Sequence, residues 1–369
     1  MNNRGTALVA TLSIALVLLP LGAFVAMQCR TDLLIQHNLR AEIEAFYTAE
    51  AGLEHAISEI GPGTSFDPLL SGPDRLAGTR DDGAFPFRGG SPAPFPHAPF
   101  QYDVRVIKLD AATIRLVSTG TGIKNAVKIV NVLATRSSIP HTPAALYVEG
   151  DPTSLDVGSG SFVVSGMDHN VGAPAGSASG AAAPIPALST SQADAEATLA
   201  QRLTPAAARR LIGTGGTPSI AHSDALDLAS YAAAVAGRPE AVNITATTIT
   251  GRVVLGTPQD PQISLTAGDC EVSGQVSGRG ILLVNGRLRV VGTLSFAGLV
   301  LAMGGVLFEP GSAVTIDGTL WQGAAVSSPP QLRGDGAIAY SSAALAAVDR
   351  RFPGLLPHAV VIAGWQEQL

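Results

Sequence analysis

The chain has 369 residues, more than one ordinary domain holds, and its formal net charge of -6 arises from only 14% charged residues. This sparse, slightly acidic balance gives no basis for nucleic-acid binding, which needs clustered Lys and Arg. With 41 Gly, 25 Pro and 5% aromatics the composition also excludes a coiled coil and a charged disordered tail. Two cysteines, Cys29 and Cys270, make neither a disulfide framework nor a metal site.

The first element is an uncharged run of 24 residues from Thr6 to Cys29, enough for about 36 Å of helix and therefore for a bilayer. Pro20 and Gly22 interrupt it, a kink that neighbouring helices can accommodate. Arg4 precedes the run and Arg30, Asp32 and Arg40 follow it, which favours an N-terminus in the cytoplasm and a body outside. "AFVAM" mimics the cleavage site of a signal peptide, but the apolar run is too long for one and flows on without a loop. From 31 to 60 the residues Leu34, Ile35, Leu39, Ile43, Phe46, Tyr47, Leu53 and Ile57 recur as on a helical stripe, and Gly61-Pro62-Gly63 stops the helix. A helix of this length asks for other helices to pack against.

A short basic leader ending in "RG", an apolar helix with Pro and Gly near its middle, and "AFYTAEAGLEHA" resemble the N-terminal region of PilX-type minor pilins of type IV pilus assembly. The resemblance covers residues 4 to 56. It implies a prepilin peptidase that cuts after Gly5 and leaves Thr6 as the new N-terminus. It also implies a helix that holds the subunit in the inner membrane until it joins a filament. Pro20, Gly22, Phe46, Glu50, Gly52 and Leu53 would then serve helix packing and assembly. Major pilins carry Glu at the fifth mature position; here it is Ala10, which argues against a bulk filament subunit.

Residues 61 to 98 are rich in Gly, Pro, Asp and Ser and read as a linker. From 99 to 138, "YDVRVIKLDAATIRLVSTGTGIKNAVKIVNVLATR" gives three strands joined by "DAA" and "GTGIKN", a small antiparallel meander expected to pack on the second half of the helix. "AALYVEGD" and "SFVVSGMDHN" add strands within 139 to 171. Residues 172 to 240 read as a low-complexity and helical insertion. Ser191 to Asp194 opens one helix, Thr204-Pro205 caps a second that Gly213 closes, and 223 to 237 forms a third. Between 241 and 345, Gly286, Gly292, Gly298 and Gly304 fall six apart between short strands. That spacing suits the flat stacked coils of a β-solenoid, with a Gly-rich antiparallel sandwich as the alternative. "GDGAIAYSSAAL" at 334 to 345 resembles the close of the β-rich part of PilX-type proteins. Residues 346 to 369 read as a tail.

Chemistry is sparse. His37, His55, His97, His141, His169, His222 and His358 include no HExxH pair, and no GxSxG elbow is present. Asp168, His169 and Asn170 in "SGMDHN" form a compact polar cluster, read as a turn held by Asp and Asn side chains, with an oxygen-ligand cation site as the alternative. Asp269, Glu271, Glu309 and Asp317 are the acids that a carbohydrate-cleaving solenoid would have to face towards each other. The expectation is an α+β protein and not an enzyme, with no cofactor and no metal. It is a structural minor pilin or pseudopilin acting in assembly, tip priming or surface contact, in the inner membrane with its body in the periplasm, or on a cell-surface pilus. Its expected partners are other pilin subunits, the inner-membrane assembly platform and the prepilin peptidase. The alternative is a single-pass anchored β-solenoid surface protein that binds or acts on carbohydrate.

Overall fold

A computed structural model describes residues 3–60, 66–87, 100–110, 112–150, 152, 155–158, 161–174, 177–323 and 329–368. The linker expected over 61–98 lies partly outside these residues, as does the Gly61-Pro62-Gly63 stop. The chain forms two compact units: residues 1–136 with 360–369, and residues 137–359.

The first unit is built on one helix of 57 residues, Asn3–Glu59, about 85 Å long. It is the one helix among the described residues long and apolar enough to cross a membrane. Its C-terminal part lies on a four-stranded sheet in which Gln101–Lys108, Thr113–Thr121 and Val127–Pro140 pair antiparallel in that order. The fourth strand is His358–Gln368, the segment read from sequence as a tail. The core holds Leu53, Ala56, Val104, Val106, Ile114, Leu116, Val130 and Val132 on alternating strand positions.

The second unit enters the chain between the last two strands of that sheet. Its strands pair in parallel and in register, as a solenoid requires and an antiparallel sandwich does not. Gln275 lies beside Thr293, and Cys270 beside Leu288, each eighteen residues on. An eighteen-residue coil with glycine every six has three faces and three corners. Gly274 and Gly292 stack at one corner, Gly286 and Gly304 at another, and Gly280, Gly298 and Gly318 at the third. The step from Gly298 to Gly318 is twenty because the turn at Glu309–Ser312 is longer, which is why the sequence period drifts.

Glycine is required at the third corner, where the ten-residue strands Gln275–Val284, Thr293–Ala302 and Ala313–Gln322 bend from one face to the next. Gly280, Gly298 and Gly318 have φ of 123°, 134° and 144°, a region closed to other residues. A Cβ on Gly298 would also sit 2.1 Å from the carbonyl oxygen of Gly280.

The stack does not follow chain order. After the coil ending at Asp335–Ala339, the next rungs are Leu146–Val148 beside Leu320–Gln322 and Val163–Ser165 beside Ala337–Ala339. Leu188–Thr190, Leu211–Ile212 and Ile220–His222 continue it outward. The segment read as an insertion over 172–240 thus supplies three rungs, too short to carry a periodic signal. Its helices are Ala195–Arg202, Pro205–Ala208 and Leu228–Ala236, the second capped by Thr204 Oγ1 accepting from the Ala207 amide at 3.2 Å. The second helix ends at Ala208, before the Gly213 expected to close it, because Leu211–Ile212 is drawn into a rung. The chain therefore enters the stack in its middle, climbs to one end, returns through Leu228–Ala236 to the far end at Ala241–Ile244, and climbs back to its entry.

The corner geometry predicts that Gly298→Ala lowers the stability of the second unit by about 1–3 kcal/mol. Urea denaturation followed by far-ultraviolet circular dichroism measures it, and an unchanged midpoint would contradict the assignment.

Candidate functional site

The long helix carries two apolar faces. One is buried against its own sheet and is made mostly of small residues: Ala41, Ala45, Ala49, Gly52 and Ala56, with Leu53 as the one large side chain among them. These recur at three, four and seven, one helical stripe. The approach is close enough to exclude side chains on both partners. A Cβ on Gly52 would meet the Ser118 hydroxyl at 2.6 Å, and one on Gly120 of the facing strand would meet the Ala45 carbonyl oxygen and the Ala49 nitrogen at 2.3 Å.

The other face carries the large residues. Ile35, Leu39, Ile43 and Tyr47 are 51–61% exposed and continue the exposed apolar surface of Leu18, Leu21 and Phe24. The sequence placed all large apolar residues of 31–60 on one stripe. The structure divides them, because a helix resting on a sheet at backbone contact admits only Ala and Gly beneath most of its length. Among the residues assigned to packing and assembly, Gly52 and Leu53 face the chain's own sheet, and Phe46 packs edge-on against Trp365 at 5.7 Å. Glu50 is half-buried, while Pro20 and Gly22 are exposed in the apolar half. Gly5 and Thr6 lie in the helix backbone, and their side chains are outside those described.

In the second unit the polar residues of "SGMDHN" meet two distant segments. Asp168 Oδ1 accepts from the Ser342 amide at 2.8 Å, and Oδ2 accepts from Ser342 Oγ at 2.9 Å and the Ala182 amide at 2.7 Å. Both oxygens are engaged, which leaves a clasp and not an open cation site; the turn expected from sequence is held by more than its own side chains. Asn170 closes the loop by donating from Nδ2 to the Ser179 carbonyl at 2.9 Å.

His169, 1% exposed, donates from Nδ1 to the Tyr340 carbonyl, and its Nε2 lies 3.0 Å from Asp317 Oδ1. A carbonyl only accepts, so Nδ1 carries a proton, and Nε2 carries a second when Asp317 is ionised. Asp317 Oδ2 accepts from the Gly172 amide at 2.9 Å. Burial alone would lower the His169 pKa, but the hydrogen bonds to Asp317 and Tyr340 and the charges of Asp317 and Asp168 hold it above the ordinary value. Sequence singled out His169 and Asp317 separately; nothing in the spacing of 148 residues joins them.

The other acids serve the coils. Arg289 bridges Glu271 at 2.7 Å and Glu309 at 2.9 Å across neighbouring coils, and Asp269 Oδ1 accepts from the Arg287 amide at 2.7 Å. Glu271 and Glu309 thus share one arginine on a face apart from Asp317. Cys29 is exposed and Cys270 is buried, neither is bonded, and burial pushes the Cys270 thiol up to about 11.

No protein-family model matches the sequence. No curated protein matches it either. Among solved structures, the competence-associated pilin ComZ from Thermus thermophilus aligns over 89% of this chain and 97% of its own, at 13% identity with a TM-score of 0.26. A superposition that shallow leaves function to the chain's own geometry.

The raised His169 pKa fixes the sign of a pH effect. The ion pair contributes fully below the unfolded pKa of about 6.5, and its contribution is lost as pH rises through the folded value above it. Thermal unfolding of the wild type should therefore weaken from neutral towards alkaline pH relative to His169→Gln, which lacks the titration. Parallel curves would contradict the protonated pair.

Proposed function

We propose that the chain is a minor subunit of a pilin-type filament, of the PilX-like class its N-terminal segment resembles, with a mechanical role and no catalytic one. The observation that carries this reading is the division of the long helix into an inward face mostly of Ala and Gly and an outward face of large apolar residues. The inward face accounts for the folding of the first unit. The outward face, from Leu18 through Tyr47, stays exposed well past the length a bilayer covers.

A plain membrane anchor has no use for Ile35, Leu39, Ile43 and Tyr47 on the surface beyond the membrane. A subunit whose helix packs against other helices does, first in the inner membrane and then in a filament. Peptidase cleavage between Gly5 and Thr6, insertion through an assembly platform, and a place near a filament tip with the coils carried outside complete the reading. Ala10, in place of an acidic residue, fits a subunit added rarely.

A photo-crosslinking residue at Leu39, in the native host, should trap another helix-bearing pilin subunit; the same residue at exposed Arg115 should trap none. With the crosslinking residue kept at position 39, Ile35→Lys with Ile43→Lys should abolish the crosslink while the first unit keeps its thermal transition. Crosslinking to lipid alone at Leu39 would favour the single-pass anchor.

A further inference from the structure

The outer face of the coils holds a groove unrelated to the helix contacts, with a volume of about 240 Å³. Its floor is formed by three in-register strands. Ser277 lies beside Ser295, and Ser295 beside Thr315, while Arg279, Ala297 and Asp317 form the parallel row two residues along. Alternation turns both rows outward, because Val276, Leu294 and Val314 before them and Phe296 and Ile316 between them are buried in the core. The turn at Gly256, Thr257 and Pro258 makes one wall, and Val171, next to the clasp, makes another.

The charges in this groove are not balanced. Asp317 is 7% exposed and is neutralised from behind by His169, with its second oxygen taken by the Gly172 amide. Arg279 is half-buried and has no hydrogen bond or ion pair among the described residues. Arg289 is matched with Glu271 and Glu309, and Arg333 with Asp156, whereas Arg279 is the one cation among the described residues that line the groove. A half-buried guanidinium without an internal partner, with hydroxyls in register beside it, presents a fork of donors suited to an anion.

We propose that this groove binds a carboxylate-bearing sugar unit of an acidic polysaccharide, with Arg279 holding the carboxylate through its planar fork and Ser277 and Ser295 hydrogen-bonded to ring hydroxyls. Serines on neighbouring strands stand about 4.8 Å apart, a spacing that suits hydroxyls on one ring. A phosphate-rich polymer is disfavoured, because such ligands draw on several cations and the described lining of the groove holds one, Arg279. The volume admits a single sugar unit or little more, so the contact is shallow and gains strength through repetition along a polymer.

The site does not rest on the filament reading. The full-length protein in detergent is titrated with oligogalacturonate, with the matching neutral galactose oligomer, and with acetate, by isothermal calorimetry. Saturable binding of the acidic oligomer, absent for the neutral one and at least about ten-fold weaker for acetate, is expected. Arg279→Ala should weaken it about ten-fold or more. Arg279→Lys, which keeps the charge and loses the fork, should fall between. Because the Arg279 side chain has no hydrogen bond or ion pair among the described residues, both variants should keep an unfolding transition close to that of the wild type. Acetate binding as tightly as the oligomer would mean a carboxylate site with no role for the sugar and would overturn the proposal. So would unchanged affinity in Arg279→Ala, equal binding of the neutral oligomer, or no saturable binding at millimolar sugar. None of these outcomes bears on crosslinking at Leu39, so the two readings fail separately.

Discussion

Both units depend on backbone approaching backbone where no side chain intervenes. On the sheet, Gly120 and Gly52 let the long helix descend to contact distance. In the coils, Gly274 with Gly292, Gly286 with Gly304, and Gly280 with Gly298 and Gly318 let successive turns lie directly over one another at each corner. The two arrangements differ in fold and share one condition, which the composition states in bulk: 41 Gly and few aromatics or charges. Parallel coils stacked at about 4.8 Å satisfy their backbone groups only if every corner falls in register, so a Cβ at one corner disturbs its neighbours too. This makes the second unit a cooperative stack and explains why its polar residues are recruited to hold the seams.

The seam that matters most lies where the chain enters and leaves the stack. Residues 146–165 and 320–339 pair there although they are far apart in sequence. The clasp of Asp168, His169, Asp317 and Ser342 sits at this seam and ties the entering loop to the last coils. Thr142, Thr319 and Trp321 add a second buried link, with Thr142 Oγ1 3.0 Å from Thr319 Oγ1 and accepting from Trp321 Nε1 at 3.1 Å. Closing the stack at its middle leaves both chain ends of the second unit together. That is what permits its insertion between adjacent strands Val127–Pro140 and His358–Gln368.

Much of this was legible because it is periodic. The helix, the three-strand meander and the six-residue glycine spacing each repeat over enough residues to rise above composition, and the solenoid followed from the last. What the sequence concealed is non-local or short. Rungs of two or three residues such as Leu211–Ile212 carry no period. The terminal strand His358–Gln368 is recognisable only by its partner. The two faces of the long helix were merged because periodicity marks apolar residues without saying which are small enough to lie under a sheet. Asp168, His169 and Asp317 were each noticed, but a hydrogen bond spanning 148 residues has no signature in spacing. Arg279 has no signature in the sequence, since a lone arginine in a strand stands out only once the strands beside it are known to form a groove around it.

The account turns on the long helix being an assembly element and not merely an anchor. The most direct measurement is the mass of the mature N-terminus, taken on protein from its native host beside the Gly5→Ala variant. A wild-type chain beginning at Thr6, with the variant retaining Met1, is the result the account predicts. A wild-type chain still beginning at Met1, or one beginning near residues 26 to 30, would contradict it.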